Sequence, residues 1–139
     1  MNIPYSFVCC LLDKCPLHKD CLRYLAAQNV DASKQTFNCL NPRVESVGTQ
    51  DCPHFRSTEK VRYAIGLANV FNNVPGQYIK ALRNQLISSF GQTRYYTEMR
   101  SGKRKITPKE QDEIAAIFKS LKIKAPVIYD RFEEDYHWS

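Results

Sequence analysis

Residues 91–110 read GQTRYYTEMRSGKRKITPKE, and this stretch sets the expected architecture. Thr107, Pro108 and Glu110 give three agreeing signals for a helix start. Thr107 can cap exposed N–H groups, Pro108 stands where a missing N–H costs nothing, and Glu110 completes a capping box. Beyond it Ile114, Ile117, Phe118 and Leu121 fall on one stripe, so a core-packed helix is expected from Pro108 to about Leu121. Before it, Gly102 marks the end of a helix running from Thr93 to Ser101. On that helix Tyr95, Tyr96 and Met99 share one side. Arg94, Thr97, Glu98 and Ser101 share the other, with Arg100 at its margin. At 1.5 Å per residue this helix is about 13 Å long, a length that fits a DNA major groove roughly 12 Å wide. Arg94, Thr97 and Arg100 are therefore candidates for base or phosphate contact, and Lys103, Arg104 and Lys105 for the phosphate backbone.

Charge elsewhere agrees with this reading. The 139 residues carry a net charge of +6, but residues 57–105 hold nine Lys and Arg against two acidic residues, so the excess sits in the middle of the chain. A localised basic surface attracts polyanions, DNA first and RNA as the variant. No apolar run approaches the length of a membrane span. The FVCCLL patch lacks a basic segment before it and is followed by Asp13-Lys14, so it does not read as a signal peptide, and a cytoplasmic location is the default expectation. No constellation of catalytic side chains stands out, so an enzyme is not expected.

All six cysteines precede residue 53: Cys9, Cys10, Cys15, Cys21, Cys39 and Cys52. In a reducing compartment clustered thiols bind metal more often than they pair. FVCCLL reads as a short buried strand, which turns Cys9 and Cys10 to opposite faces. Cys10 is assigned to a shared site and Cys9 to the core. Cys15 opens a helix, Leu17 to about Gln28, that carries Cys21. The expected ligand set is Cys10, Cys15, Cys21 and Cys52, with Cys39 as substitute. Zinc suits four thiolates and a small module; an iron–sulfur cluster or free buried thiols are the alternatives. No Cys-x-x-Cys knuckle decides among them. His18 and His54 stand beside the cysteines and could replace a thiolate, but they read first as surface or outer-shell residues.

Between these regions, Val61, Ala64, Ile65, Leu67, Ala68 and Phe71 fit a helical stripe, so a central core helix is expected from Ser57 or Thr58 to about Asn73. A further helix is expected over Tyr78–Ser89, with Lys80 and Arg83 outward. Val127–Tyr129 reads as a short strand or an extended arm. The tail beyond it is acidic and aromatic, fitted to shield the basic surface or to meet a protein partner.

The run FGQTRYYTEMRSGKRKITPKEQDEIAAIF (residues 90–118) resembles the recognition-helix region of Cro/repressor-type helix-turn-helix proteins. That resemblance implies DNA contact through Arg94, Thr97 and Arg100. Over most of its length the chain also resembles an uncharacterised family of small proteins from Bacteroides-like bacteria. The segments CCLLDKCPLHKDCLRYLAA, CPHFRSTEKVRYAIGL and RYYTEMRSGKRKITP carry it, with the loop Cys39 to Pro42; that family implies no activity. The expectation is thus a mainly α protein with three parts. Residues 1–56 form a cysteine-rich metal-binding module, residues 57–125 a basic domain of about four helices with a helix-turn-helix-like arrangement, and residues 126–139 an acidic aromatic arm. The expected function is DNA binding, with a regulatory role as one form of it; a protein-interaction module and an iron–sulfur redox protein are the alternatives.

Overall fold

The structure is a computed structural model and describes residues 1–138. Two compact units divide the chain: Met1–Lys60 joined by the segment from Tyr136, and Val61–Asp135.

The first unit has little regular structure. A single turn of 3-10 helix over His18–Asp20 leads into α1, Leu22–Gln28, which is seven residues long. Two isolated bridges tie the remaining loops, Cys9 with Cys39 in parallel and Cys21 with Ser57 in antiparallel sense. The expected FVCCLL strand is therefore reduced to one bridge at Cys9. A small core holds Phe7, Cys9, Leu22 and Ala26. Trp138 stacks edge-on against Phe7 at 5.0 Å and extends that core.

The second unit begins with β1, Lys60–Ile65, continues through turns to α2 (Gly76–Ser89), α3 (Thr93–Ser101) and α4 (Pro108–Ser120), and ends on β2, Arg131–Tyr136. β1 and β2 form a two-stranded antiparallel sheet, whose outermost residues Lys60 and Tyr136 fall in the first unit. Ala64 also bridges Ile106, which lies between α3 and α4, through reciprocal backbone hydrogen bonds of 3.0 and 2.8 Å. Leu82 and Leu86 of α2, Tyr96 and Met99 of α3, and Ile114 and Phe118 of α4 meet Ala64, Leu67, Val70 and Ile106 in one apolar core. The start of α4 is as the sequence implies. The Thr107 hydroxyl accepts from the Glu110 N–H at 3.2 Å, and the Glu110 carboxylate accepts from the Thr107 N–H at 3.0 Å. Gly102, at φ +84°, ends α3 in the left-handed conformation.

The mainly α expectation is corrected: the fold is mixed, with 33% of the chain helical and a two-stranded sheet. The correction lies in residues 57–73. Tyr63, Ala64 and Ile65 are all buried, so both faces of this segment need apolar residues and a one-sided helix does not satisfy them. Gly66 then takes φ +81° with the Asp130 side chain against its Cα, which a helix interior excludes. The three helices consequently do not stand alone as a helix-turn-helix-like domain; β1 is built into their core. The metal-binding module of the expected fold is likewise corrected. Among the described residues, no group of three or more His, Cys, Asp or Glu is placed to hold a metal ion. No helix among them is long and apolar enough to cross a membrane.

Candidate functional site

In the first unit the local backbone gathers thiols from separate positions. The Cys10 N–H donates to the Arg23 carbonyl at 3.0 Å, which ties the chain before Leu11 to α1. Cys15 sits in a turn whose carbonyl is bonded by the His18 N–H at 3.1 Å, and the His18 ring Nδ1 lies 2.7 Å from the same oxygen. Cys21 precedes α1 in extended conformation, and Cys52 opens a turn closed by the Phe55 N–H. Cys10, Cys15, Cys21 and Cys52 together line one cavity with about 20 Å³ of room for water-sized groups, alongside Leu40, Phe55 and His54. The four expected site cysteines thus share one cavity wall. Cys39 and Cys9 do not border it. Cys39 is exposed and Cys9 is in the core, where burial first, and then the Cys39 sulfur, raise the Cys9 thiol pKa.

Arg23 was not singled out from sequence. Its side chain is only 9% exposed and lines the same cavity. Nε donates to the His54 carbonyl and Nη1 to the Val8 carbonyl, both at 2.6 Å, and the guanidinium lies 5.1 Å from the Phe7 ring centroid. Burial, followed by the neighbouring Arg56, lowers its pKa, whereas the sulfurs of Cys21, Cys52 and Cys9 act to raise it. No carboxylate pairs with it among the described residues. The spacing carried a signal: Leu22, Arg23 and Ala26 are the buried positions of α1, and an arginine at i−3 from a core alanine faces inward.

A larger depression of about 400 Å³ opens in the same unit between residues 1–9 and 29–38. Three of its polar side chains are engaged locally: Asn29 donates to the Leu25 carbonyl, Asp31 accepts from the Ser33 N–H, and Asn38 donates to the Tyr5 carbonyl. It is the bigger hollow, but of the six cysteines it borders Cys9 alone.

In the second unit the structure divides the six basic-surface candidates. Arg94 is bonded to Glu98 at 2.9 Å one turn along α3, which raises its pKa. Thr97 spends its hydroxyl on the Thr93 carbonyl. Lys105 is held by Asp135 at 2.9 Å and Glu133 at 3.3 Å on β2, and its pKa is raised chiefly by the Asp135 hydrogen bond. Arg104 lies 3.7 Å from Glu110 and 4.6 Å from the Tyr95 ring centroid. Arg100 behaves differently. Its guanidinium is 5.8 Å from the Phe71 ring centroid, and Arg83 from α2 lies 5.6 Å from the same ring. Among the described residues neither has a carboxylate partner, and Lys103 has none either. Phe71 was read only as a core residue; its position between two helices that each carry an arginine is not visible in the linear pattern.

These features define a small mixed α/β protein with a thiol-lined cavity in one unit and a pair of unneutralised guanidinium groups in the other. The chain belongs to a family of unknown function, DUF6078, whose model matches residues 1–138. No curated protein and no solved structure matches it.

Proposed function

We propose that the protein binds the phosphate backbone of a nucleic acid, DNA first, through the edge of the second unit where Arg83 and Arg100 meet Phe71. One observation carries this: two like charges share one ring, with no carboxylate to offset them among the described residues. An anion shared between them relieves the repulsion and gains charge-assisted hydrogen bonds. Lys80, one turn before Arg83 on α2, and Lys103, just past the end of α3, are exposed and extend the same positive character. Lys105 contributes little in this reading, because β2 already neutralises it.

The test is fluorescence anisotropy of labelled DNA and RNA oligonucleotides over a salt series. The expected result is affinity that falls steeply with salt. The double change Arg83→Ala with Arg100→Ala should flatten the log–log slope by about 2, roughly one unit per lost phosphate contact. Lys105→Ala should leave the slope nearly unchanged. Salt-insensitive binding, no binding to either polymer, or an unaltered slope in the double variant would each refute the proposal.

A further inference from the structure

From the thiol-lined cavity of the first unit, we propose that Cys10, Cys15, Cys21 and Cys52 hold a single zinc ion as thiolates, with Arg23 as the buried cation that offsets part of the site's charge.

The first argument is placement. Four sulfurs from well-separated chain positions border one cavity, while the two remaining cysteines do not. The second is size. About 20 Å³ accommodates one water-sized centre, since a single water needs roughly 10–15 Å³ by the same measure. An iron–sulfur cluster, with several iron and sulfide atoms, needs far more. The third is charge. Arg23 is buried on the cavity wall, and among the described residues its partners are carbonyl oxygens and an aromatic ring. A buried cation without an anion is costly. Neutral thiols do not offset it, whereas zinc with four thiolates carries a net charge of −2 and does. The fourth is need. Among the described residues the first unit has one seven-residue helix, a single 3-10 turn and two isolated bridges, and its apolar cluster holds four buried residues. Units this poor in core are stabilised by staples such as disulfides or metals. All six cysteines are free thiols.

On binding, each of the four thiols releases its proton to solvent and forms one bond to zinc; no electron changes hands. No three donors form a metal-holding group among the described residues before this step, so binding has to draw the sulfurs closer together. The Cys9 and Cys39 thiols stay outside. His18 does not border the cavity, and although His54 does, the four sulfurs already complete a tetrahedral donor set.

The experiment uses the full chain and is independent of nucleic-acid binding. Elemental analysis of purified protein should give one zinc per chain. Cobalt(II) added to the metal-stripped protein should give the intense visible bands of tetrahedral thiolate ligation. These should weaken in Cys10→Ser, Cys15→Ser, Cys21→Ser and Cys52→Ser but persist in Cys39→Ser. Alkylation mapping of the unaltered chain covers the case in which a serine variant fails to fold. With zinc present Cys10, Cys15, Cys21 and Cys52 should be protected and Cys39 modified first, and a chelator should remove that protection. Arg23→Met should lower zinc retention against a competing chelator by roughly 10–100-fold, the usual scale for a partner outside the ligand set. Sub-stoichiometric metal, a brown iron chromophore, or alkylation that ignores zinc would overturn the zinc site. Unchanged retention in Arg23→Met would overturn the role of the arginine alone.

Discussion

The Tyr96 hydroxyl is buried in the core of the second unit with no hydrogen-bond partner among the described residues. An unpaired buried hydroxyl carries a desolvation cost that no contact returns. Tyr96→Phe is therefore expected to leave stability unchanged or to raise it by about 1 kcal/mol, as read from urea midpoints. A loss of that size would mean that the hydroxyl has a partner in solution. Tyr129 makes the opposite kind of statement. Burial first, and then the charge of Asp112, push its pKa up to about 12. The folded pKa stands above the unfolded value near 10, so the folded chain holds this proton more tightly. The stabilisation is complete below about pH 10 and is lost as pH rises through about 12. Comparing unfolding free energies of the parent and Tyr129→Phe across this window should show a steeper alkaline decline in the parent. Parallel curves would refute the shift.

At the scale of elements, what the sequence disclosed depended on how local the signal was. α3 and α4 were legible nearly to the residue, because their ends are written in Gly102 and in the Thr107–Glu110 box. β1 was not. Val61, Ala64, Ile65 and Leu67 satisfy a helical period, and only partners far along the chain decide otherwise: β2 on one side and Ile106 on the other. The residue that exposes the error is Gly66. Its carbonyl accepts from the Asp130 N–H at 3.1 Å, while the Asp130 carboxylate accepts from the N–H groups of Ala68 and Asn69, both at 3.3 Å. A Cβ at Gly66 would collide with that carboxylate and would also sit at φ +81°. Gly66→Ala is accordingly expected to cost about 2 kcal/mol or more, measured by denaturant unfolding. In a helix interior the same change would instead stabilise by about 1 kcal/mol, so the sign of the effect separates the two architectures. The basic turn divides for a related reason. Lys103, Arg104 and Lys105 are equivalent in a linear reading, but β2 brings Glu133 and Asp135 to Lys105 alone. The charge pattern was visible in sequence, whereas its neutralisation depended on a strand pairing that was not.

At the scale of the whole molecule, the two units differ in what supports them. Among the described residues the second unit rests on a cluster of twelve buried residues and three helices, whereas the corresponding cluster of the first holds four. Alternation at Cys9 and Cys10 separates a core thiol from one that borders the cavity, and that much was legible in the sequence. Arg23 was not, because a buried charge contradicts the residue's usual place. Local opening follows apolar burial and backbone bonding, so hydrogen exchange should separate the units in the metal-stripped protein. Amides of α2 and α4 that bond within the second core should exchange slowest, and those around Cys10, Leu22 and Leu25 much faster. Adding zinc should slow the first unit's amides at least tenfold and leave those of α2 and α4 nearly unchanged, because binding stabilises only the states in which the site is closed. Uniform slowing across the chain would show that the metal acts on global unfolding. No slowing anywhere would show that the thiol cavity is not what holds the first unit together.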